Sequence, residues 1–271
     1  MSQADLKGKW ALILGASSGF GAATAMELAR NGVNIIGFHL DRGAALEGVR
    51  QLVAELESHG VQAHFTNMNI ANAEKRTEAI ARIKEKLQAT PDGAQTLHVM
   101  MHSVAFGSLL PFVAGDANTS LSQAQMEMTL DVMANSMVYW AQDLYRNGLL
   151  GAGSRIFSMT SAGSINAFET YGAVSAAKAA LESHTRQLAL ELGKHGVMVN
   201  AIMAGVTDTP ALRKIPGNDK LIESAARRNP MGRLTLTTDV AKTIRALSDP
   251  ELVWINGAII VVDGGELISG V

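Results

Sequence analysis

The chain has 271 residues, of which 47% are hydrophobic and 18% are charged, with 26 glycines and no cysteine. This composition can bury a large core, so it excludes a disordered or low-complexity protein. A net charge of -2 excludes strong electrostatic attraction to nucleic acid or to an anionic membrane, and the lack of cysteine excludes disulfides and thiolate metal sites.

The start of the chain lacks a signal-peptide pattern, and no uninterrupted apolar stretch reaches the ~18 residues of a membrane span. We therefore expect a soluble, cytoplasmic protein that acts on a small molecule and holds no metal ion.

Short apolar runs alternate with helix-length segments along the whole chain. Runs that are apolar throughout predict strands buried on both faces, as in a parallel sheet covered by helices. The alternation predicts right-handed crossovers and a single α/β domain over residues 1–271, with a doubly wound, seven-stranded parallel sheet. The predicted strands are residues 10–15, 34–38, 63–68, 97–102, 155–159, 197–202 and 258–265.

One stretch interrupts this pattern. Residues 207–237 are rich in proline, glycine and charge, and they lie between the sixth strand and the last helix. A long insertion of this kind in a compact domain is usually a functional lid or a flexible loop. We expect it to cover the substrate.

The first predicted strand runs into "GASSGFG" and then an alanine-rich helix. The spacing differs from the dinucleotide fingerprint G-x-G-x-x-G, but it meets the same need for a sharp turn, close approach to a diphosphate and exposed helix amides. Plain turn glycines that bind nothing are the alternative. In the dinucleotide interpretation this Rossmann-like turn supplies Gly15, Ser17, Ser18, Gly19, Phe20 and Gly21.

The end of the second strand bears on the choice between NADH and NADPH. A carboxylate there would bind the ribose 2′-hydroxyl of NAD, and a basic residue would favour the 2′-phosphate of NADP. His39 directly follows the strand, with Asp41 and Arg42 two and three residues later. We therefore expect NADPH, with Arg42 on the phosphate. NADH is the alternative cofactor, and in a further alternative both charges are simply solvated.

Four motifs occur in one order: "GASSGFG", "YGAVSAAKAALESHTRQLALEL", "VNAIMAGVTDT" and "VVDGG". In this respect almost the whole chain resembles the short-chain dehydrogenase/reductase family. The common branch of that family has Tyr-x-x-x-Lys, and Asn-Asn-Ala-Gly after the fourth strand. Here "HSVAFG" follows the fourth strand, and six residues separate Tyr171 from Lys178.

Both departures are shared with the enoyl-acyl-carrier-protein reductases of fatty-acid synthesis. The stretch "DTPALRKIPGNDKLIESAARRNPMGR" also resembles their substrate loop, especially that of the NADPH-using, triclosan-tolerant kind.

The spacing of tyrosine and lysine suits that reaction. In the common branch the tyrosine would fall on Val174. Seven helical residues turn through about 700°, so Tyr171 and Lys178 share a face but lie ~10.5 Å apart along the axis instead of ~6 Å. Hydride addition to the β-carbon of an enoyl thioester develops charge on an oxygen several bonds away. A donor for that oxygen must stand further from the nicotinamide than a donor for a ketone.

The resemblance implies roles for three side chains. Tyr171 would hydrogen-bond the enolate oxygen, and Lys178 would bind the nicotinamide ribose and support proton delivery. Ser161 would assist the oxygen, or merely satisfy backbone groups after the fifth strand. The alternative for the first two is that Tyr171 caps a core helix and Lys178 is solvated.

Further cofactor contacts also follow from the resemblance. Asn69 stands where the family usually has an aspartate against the adenine, and Asp131 stands at the family's catalytic asparagine, where we expect a structural or cofactor-proximal role. The predicted contacts are Asn69, Ile70, Ser103, Val104, Ala105, Gly205, Thr207 and Thr209.

The leading hypothesis is an NAD(P)H-dependent reductase of enoyl-acyl carrier protein or enoyl-CoA. A carbonyl reductase or alcohol dehydrogenase of the same family is the enzymatic alternative, and a nucleotide-sensing module is the other.

The resemblance suggests a homotetramer packed through residues 126–144 and 171–192. Basic side chains of the lid could meet a phosphopantetheine phosphate, an acidic carrier protein or CoA, or form a solvated face: Arg213, Lys214, Lys220, Arg227, Arg228 and Arg233.

Overall fold

A computed structural model describes residues 6–89, 95–116 and 119–269. Its strands form a parallel sheet in the order β3-β2-β1-β4-β5-β6-β7, which confirms the predicted seven-stranded Rossmann-like fold, with strand ends shifted by a few residues. The strands are β1 (Trp10–Leu14), β2 (Asn34–His39), β3 (Ala63–Asn67), β4 (Val99–His102), β5 (Arg155–Ser161), β6 (Met198–Ala204) and β7 (Ile259–Val262).

Helices cover both faces of this sheet. They are α1 (Gly19–Arg30), α2 (Ala45–Glu57), α3 (Ala73–Gln88), α4 (Gln123–Leu130), α5 (Ser136–Arg146), α6 (Gly172–Gly193), α7 (Asn218–Arg228) and α8 (Thr237–Leu247). A π-helical segment, Asp131–Asn135, joins α4 to α5.

The first strand shows why the sheet needs both layers. All five of its residues are buried. Trp10, Leu12 and Leu14 pack in the core beneath α3, α5 and α6. Ala11 and Ile13 pack in the opposite core with α1, α2 and α8. Because side chains alternate along a strand, a run that is apolar throughout is stable only where both faces are covered.

The chain reverses its direction of winding between β1 and β4, which are neighbours in the sheet. Leu14 pairs with His102 in register, and the Ser103 N–H donates to the Leu14 carbonyl at 2.8 Å. Ligands of doubly wound sheets bind at the carboxyl ends of strands beside such a reversal. The glycine turn and the "HSVAFG" segment therefore lie at one crevice.

The segment 207–237 is more regular than its composition predicts. It holds a short 3₁₀ turn, Leu212–Lys214, and the eleven-residue helix α7. No helix in the part of the chain that the structure describes is long and apolar enough to cross a membrane.

Candidate active site

The glycine turn after β1 is packed tightly against the end of β4. Gly15 has a φ of +88°, and a Cβ at this position would overlap the Ser103 carbonyl. The N–H groups of Gly15 and Ala16 both donate to the Phe38 carbonyl, at 2.8 and 3.0 Å. The turn is therefore fixed by backbone contacts that leave no room for a side chain.

The first turn of α1 is open to an anion. Ser18 precedes the helix in an extended conformation, is exposed, and makes no side-chain capping hydrogen bond. Backbone N–H groups at the start of a helix lack partners within the helix and carry partial positive charge. The turn therefore suits a diphosphate.

Thr209 faces this turn from the other side of the crevice. A Cβ built on Gly19 would lie 3.7 Å from the Thr209 Cγ2. The Thr209 hydroxyl accepts from the Leu212 N–H at 3.2 Å, and the buried Thr207 hydroxyl donates to the Gly205 carbonyl at 3.0 Å. Gly19 and Thr209, both predicted cofactor contacts, are thus brought together although 190 positions separate them.

At the other end of the crevice, His39 holds Asp41. The ring Nδ1 lies 2.8 Å from Asp41 Oδ2, and the Asp41 carbonyl accepts from Asn67 Nδ2 at 2.7 Å. Arg42 is exposed, and its guanidinium forms no ion pair with any residue the structure describes. The carboxylate therefore has a partner in place, while the arginine stands in solvent.

The structure gives Asn69 and Ile70 contacts of their own. The Asn69 Oδ1 accepts from the Ala71 N–H at 3.0 Å, so one acceptor site of this amide is used within its own turn. The carbonyl of the buried Ile70 accepts from the Trp140 ring N–H at 2.9 Å. Ser103 and Val104 are half-buried at the end of β4, and Ala105 is exposed.

Ser161 and Tyr171 meet over Gly163. A Cβ built on Gly163 would lie 3.2 Å from the Ser161 Oγ and 2.5 Å from the Tyr171 Cε1. Burial raises the pKa of the Tyr171 phenol, and a hydrogen bond with Ser161 lowers it in part. The phenol therefore keeps its proton at neutral pH and can donate it.

Lys178, on the same helix face as Tyr171, is buried. Its side chain points to the end of β5, where Nζ donates to the Met159 carbonyl at 2.6 Å. Burial lowers the pKa of Lys178 to about 8, opposed by the charge of Glu182. Burial, with the nearby Lys178, also lowers the pKa of His102 to about 3. A charged ammonium therefore stands beside a neutral imidazole at neutral pH, and Lys178 is not a solvated lysine.

One protein family matches most of the chain, including all the residues of this site. A family model described as Enoyl-(Acyl carrier protein) reductase matches residues 15–266. The chain belongs to this family of short-chain dehydrogenases/reductases. It is therefore an NAD(P)H-dependent oxidoreductase.

Several relatives match over nearly their whole length. The 3-oxoacyl-[acyl-carrier-protein] reductase FabG of Pseudomonas aeruginosa is 28% identical over 98% of this chain and 100% of its own. A short chain dehydrogenase of Burkholderia cenocepacia in complex with NADP is 27% identical, with a TM-score of 0.80 over 97% of this chain and 99% of that one. The enoyl-[acyl-carrier-protein] reductase (NADH) of Aquifex aeolicus is 25% identical, with a TM-score of 0.83 over 98% and 99%. These names cover both ketone and enoyl reduction.

Val174 marks where this short-chain dehydrogenase/reductase leaves the common pattern. It stands four residues before Lys178 and is 6% exposed. A Cβ built on Gly107 would lie 2.9 Å from its Cγ2, so Val174 packs towards the "HSVAFG" segment. The position four before the lysine therefore carries core packing instead of a hydroxyl.

Two features of the catalytic segment escape sequence reasoning. Thr170 has a φ of +61°, a left-handed conformation that a β-branched residue rarely adopts, directly before Tyr171. Gly163 carries no catalytic group, yet it gives Ser161 and Tyr171 the space to meet. Neither residue has a local pattern that would have revealed it.

Asp131 does not join this cluster. Its carboxylate acts on Tyr139 instead: burial raises the pKa of that phenol, and the charge of Asp131 raises it further. Half of the basic lid residues have acidic partners, in the pairs Arg213–Asp208, Arg228–Glu266 and Arg233–Asp239. Lys214, Lys220 and Arg227 form no ion pair within the described ranges.

Proposed function

We propose that this protein is an enoyl-thioester reductase, which reduces the trans-2 double bond of enoyl-acyl carrier protein or enoyl-CoA in fatty-acid biosynthesis. The observation that carries the proposal is the side-chain pattern along α6. Val174 is buried where a ketoreductase of the common pattern has its tyrosine, and the phenol that contacts Ser161 comes from Tyr171, one turn earlier. That arrangement favours an oxygen remote from the carbon that accepts hydride.

The proposed cofactor is NADPH, with NADH as the alternative. Arg42 is exposed while Asp41 is held by His39, which favours a 2′-phosphate over a free 2′-hydroxyl. The uncapped start of α1 and the facing Thr209 favour a diphosphate between them. The NADP complex of the Burkholderia cenocepacia relative is consistent with this choice.

In the proposed mechanism, NADPH held at this crevice would supply hydride to the β-carbon, negative charge would develop on the thioester oxygen, and a proton from solvent would then add to the α-carbon. Tyr171 donates its O–H to that oxygen, because burial keeps the phenol protonated. Ser161 would support the phenol from beside Gly163, where its Oγ accepts from the Gly163 N–H at 3.3 Å. Lys178 contributes its positive charge to the ribose side of the same crevice.

The lid and the assembly complete the proposal. Residues 207–237 are proposed to close over the acyl chain, with Lys214, Lys220 and Arg227 free to meet the phosphate of the pantetheine arm. The proposed assembly is a homotetramer that packs through residues 126–144 and 171–192. Leu190 of α6 is 75% exposed, which leaves apolar surface for such an interface.

Carbonyl reduction is the second candidate function. The Pseudomonas aeruginosa relative is named for it, and Ser161 retains a hydroxyl in contact with the tyrosine. In this alternative the same phenol would donate to the oxygen of the carbon that accepts hydride.

One assay separates the two reactions. Crotonyl and acetoacetyl thioesters of CoA and of carrier protein are each mixed with NADPH or NADH, and cofactor oxidation is followed. We expect oxidation with crotonyl thioesters, and a fall of about 10²-fold in turnover for Tyr171→Phe at unchanged cofactor affinity. The matched control is Tyr145→Phe, since Tyr145 is a surface tyrosine bonded to His195. Activity confined to acetoacetyl thioesters, or full activity of Tyr171→Phe, would refute the enoyl proposal.

A further inference from the structure

One buried carboxylate touches the lid helix α7 and the residue directly before the lid. Glu266 lies in the turn after β7 and is 7% exposed. Its Oε2 accepts from the Val206 N–H at 2.9 Å, directly after Gly205 and before Thr207. Its Oε1 lies 3.6 Å from Nη2 of Arg228, the last residue of α7. The residue directly before the lid and the last residue of the lid helix therefore share one partner.

The packing around Glu266 shows that this contact is built into the fold. A Cβ on Gly205 would lie 2.9 Å from the Glu266 Oε2 and would overlap the Thr235 Oγ1. Asn229, which follows Arg228, donates from Nδ2 to the Asp263 carbonyl at 2.8 Å. The carboxylate thus occupies space that only a glycine at position 205 leaves free.

The charges around this carboxylate come from two elements. Burial raises the pKa of Glu266, the Val206 N–H and Arg228 lower it, and Asp263 raises it again. Arg228 approaches from α7, and Asp263 from the same turn as Glu266. A glutamine here would keep an oxygen for the Val206 N–H but would lose the attraction to Arg228.

We propose that Glu266 is a positioning residue that couples the lid helix α7 to the turn Gly205–Thr207, so that the hold of this turn on the cofactor depends on the contact between Glu266 and Arg228. The inference rests on the proposed function in one respect, because Gly205 and Thr207 are taken to contact NADPH. Glu266 acts through Val206 and touches no reacting atom. Its loss should therefore weaken cofactor binding and leave the chemistry at Tyr171 intact.

Cofactor affinity is the first test, measured by fluorescence titration of NADPH without acyl substrate. We expect Glu266→Gln and Arg228→Gln each to weaken binding by about tenfold, as loss of a partly buried charged contact does. The double variant should be no worse than either single one, since both remove the same contact. Arg228→Lys, which keeps the charge, should restore most of the affinity. Arg233→Gln breaks the exposed pair with Asp239 and is the control that should bind normally.

Lid closure is the second test. Trypsin can cut at Lys214, Lys220 and Arg227, which are exposed. NADPH should protect these sites in the wild type and in Arg233→Gln, and should fail to protect them in Glu266→Gln. As pH falls and Glu266 takes up a proton, wild-type affinity should approach that of Glu266→Gln, whose affinity should depend less on pH. Glutamine has nearly the same size and shape as glutamate, so Glu266→Gln should fold normally. Circular dichroism of the variant checks this.

The outcomes separate this inference from the proposed function. Normal NADPH affinity in both single variants, or losses that add in the double variant, would overturn the coupling. An absence of enoyl activity would leave the titration and the trypsin result standing, because neither uses an acyl substrate. If the wild type shows measurable activity, Glu266→Gln should keep kcat within about twofold of the wild-type value while the KM for NADPH rises.

Discussion

The glycine turn and the catalytic segment lie at the same crevice but are shaped by different means. The turn is shaped by backbone contacts. Gly15 packs against the Ser103 carbonyl, and its N–H donates to the Phe38 carbonyl. In the catalytic segment, side chains converge from separate elements. Ser161 ends β5, Tyr171 precedes α6, and Lys178 lies in the second turn of that helix.

This difference predicts which property a substitution in each region should change. A substitution in the turn changes backbone geometry, so it should act on cofactor binding whatever the substrate is. A substitution in the catalytic segment removes one polar group from a cluster that keeps its shape, so it should act on turnover and depend on which bond is reduced.

The largest effect is expected from Gly15→Ala. The added Cβ overlaps the Ser103 carbonyl and forces a residue with a φ of +88° into strain. We expect NADPH affinity to fall by about 100-fold or more, or the protein to unfold. Fluorescence titration and thermal melting measure the two outcomes.

Gly48→Ala is the matched control for this change. Gly48 lies inside α2, and a Cβ there would meet nothing within 4 Å. We expect stabilisation of about 0.5–1 kcal/mol and unchanged binding. Normal NADPH affinity in Gly15→Ala would show that the turn does not hold the cofactor.

Lys178→Met should have the next largest effect. It removes the buried ammonium but keeps the length of the side chain, and we expect turnover to fall by about 10²-fold with weaker NADPH binding. Because the pKa of Lys178 is lowered to about 8, wild-type turnover should decline as pH rises through 8. The residual activity of Lys178→Met should lack this decline.

Titration of Lys178 should also change the free energy of unfolding, and the direction of that change can be predicted. Between pH 8 and 10.5 the unfolded chain holds a proton on Lys178 that the folded chain has lost. Stability therefore rises with pH in this window, by an amount on the order of a few kcal/mol. Urea unfolding of wild type and Lys178→Met at pH 7.5 and 10 measures the difference. A constant difference between the two pH values would contradict a buried, titrating lysine.

The contrast between the two regions also explains what the sequence could predict. The turn is local, so "GASSGFG" after an apolar run was enough to identify it. The strands are predictable because their burial on both faces leaves an unbroken apolar run. The predicted range for β7 is too long, because Asp263 and Gly264 already belong to the following turn. The sequence pattern does not predict the helix α7, because its four apolar positions, Leu221, Ile222, Ala225 and Ala226, are few among polar and charged neighbours.

The catalytic cluster and the lid contacts were harder to predict. The roles of Ser161, Tyr171 and Lys178 follow from a family resemblance, and nothing in the sequence predicts that Lys178 donates to the Met159 carbonyl. Glu266 meets Val206 across 60 positions of sequence. No periodicity or spacing encodes such a contact, since it exists only once the ends of β6 and β7 are neighbours in the sheet.

Arg42→Ala tests the adenosine end of the crevice, with a smaller expected effect. If Arg42 binds a 2′-phosphate through charge-assisted hydrogen bonds, its loss should raise the KM for NADPH by about tenfold and leave the KM for NADH unchanged. Arg50→Ala is the control, because Arg50 is an exposed arginine of α2 paired with Glu47. Equal effects on both cofactors would show that Arg42 does not discriminate between them.

Ser161→Ala has the smallest expected effect on the proposed reaction. It also separates enoyl reduction from ketone reduction most clearly. If the thioester oxygen is bound by Tyr171 alone, loss of the serine hydroxyl only loosens the phenol, and crotonyl turnover should fall by about threefold. If the protein reduces ketones and the serine donates to the developing alkoxide, acetoacetyl turnover should fall by about 10²-fold or more. Initial rates at saturating NADPH distinguish the two.

The control for this serine is Ser164→Ala. The Ser164 hydroxyl is buried and has no hydrogen-bond partner among the residues described, so its removal should leave both rates unchanged. A loss of about 10²-fold with crotonyl thioesters in Ser161→Ala would make the serine a direct donor to the enolate. In that case the displaced tyrosine would no longer suffice to explain enoyl reduction, and the argument from the seven-residue spacing would lose its force.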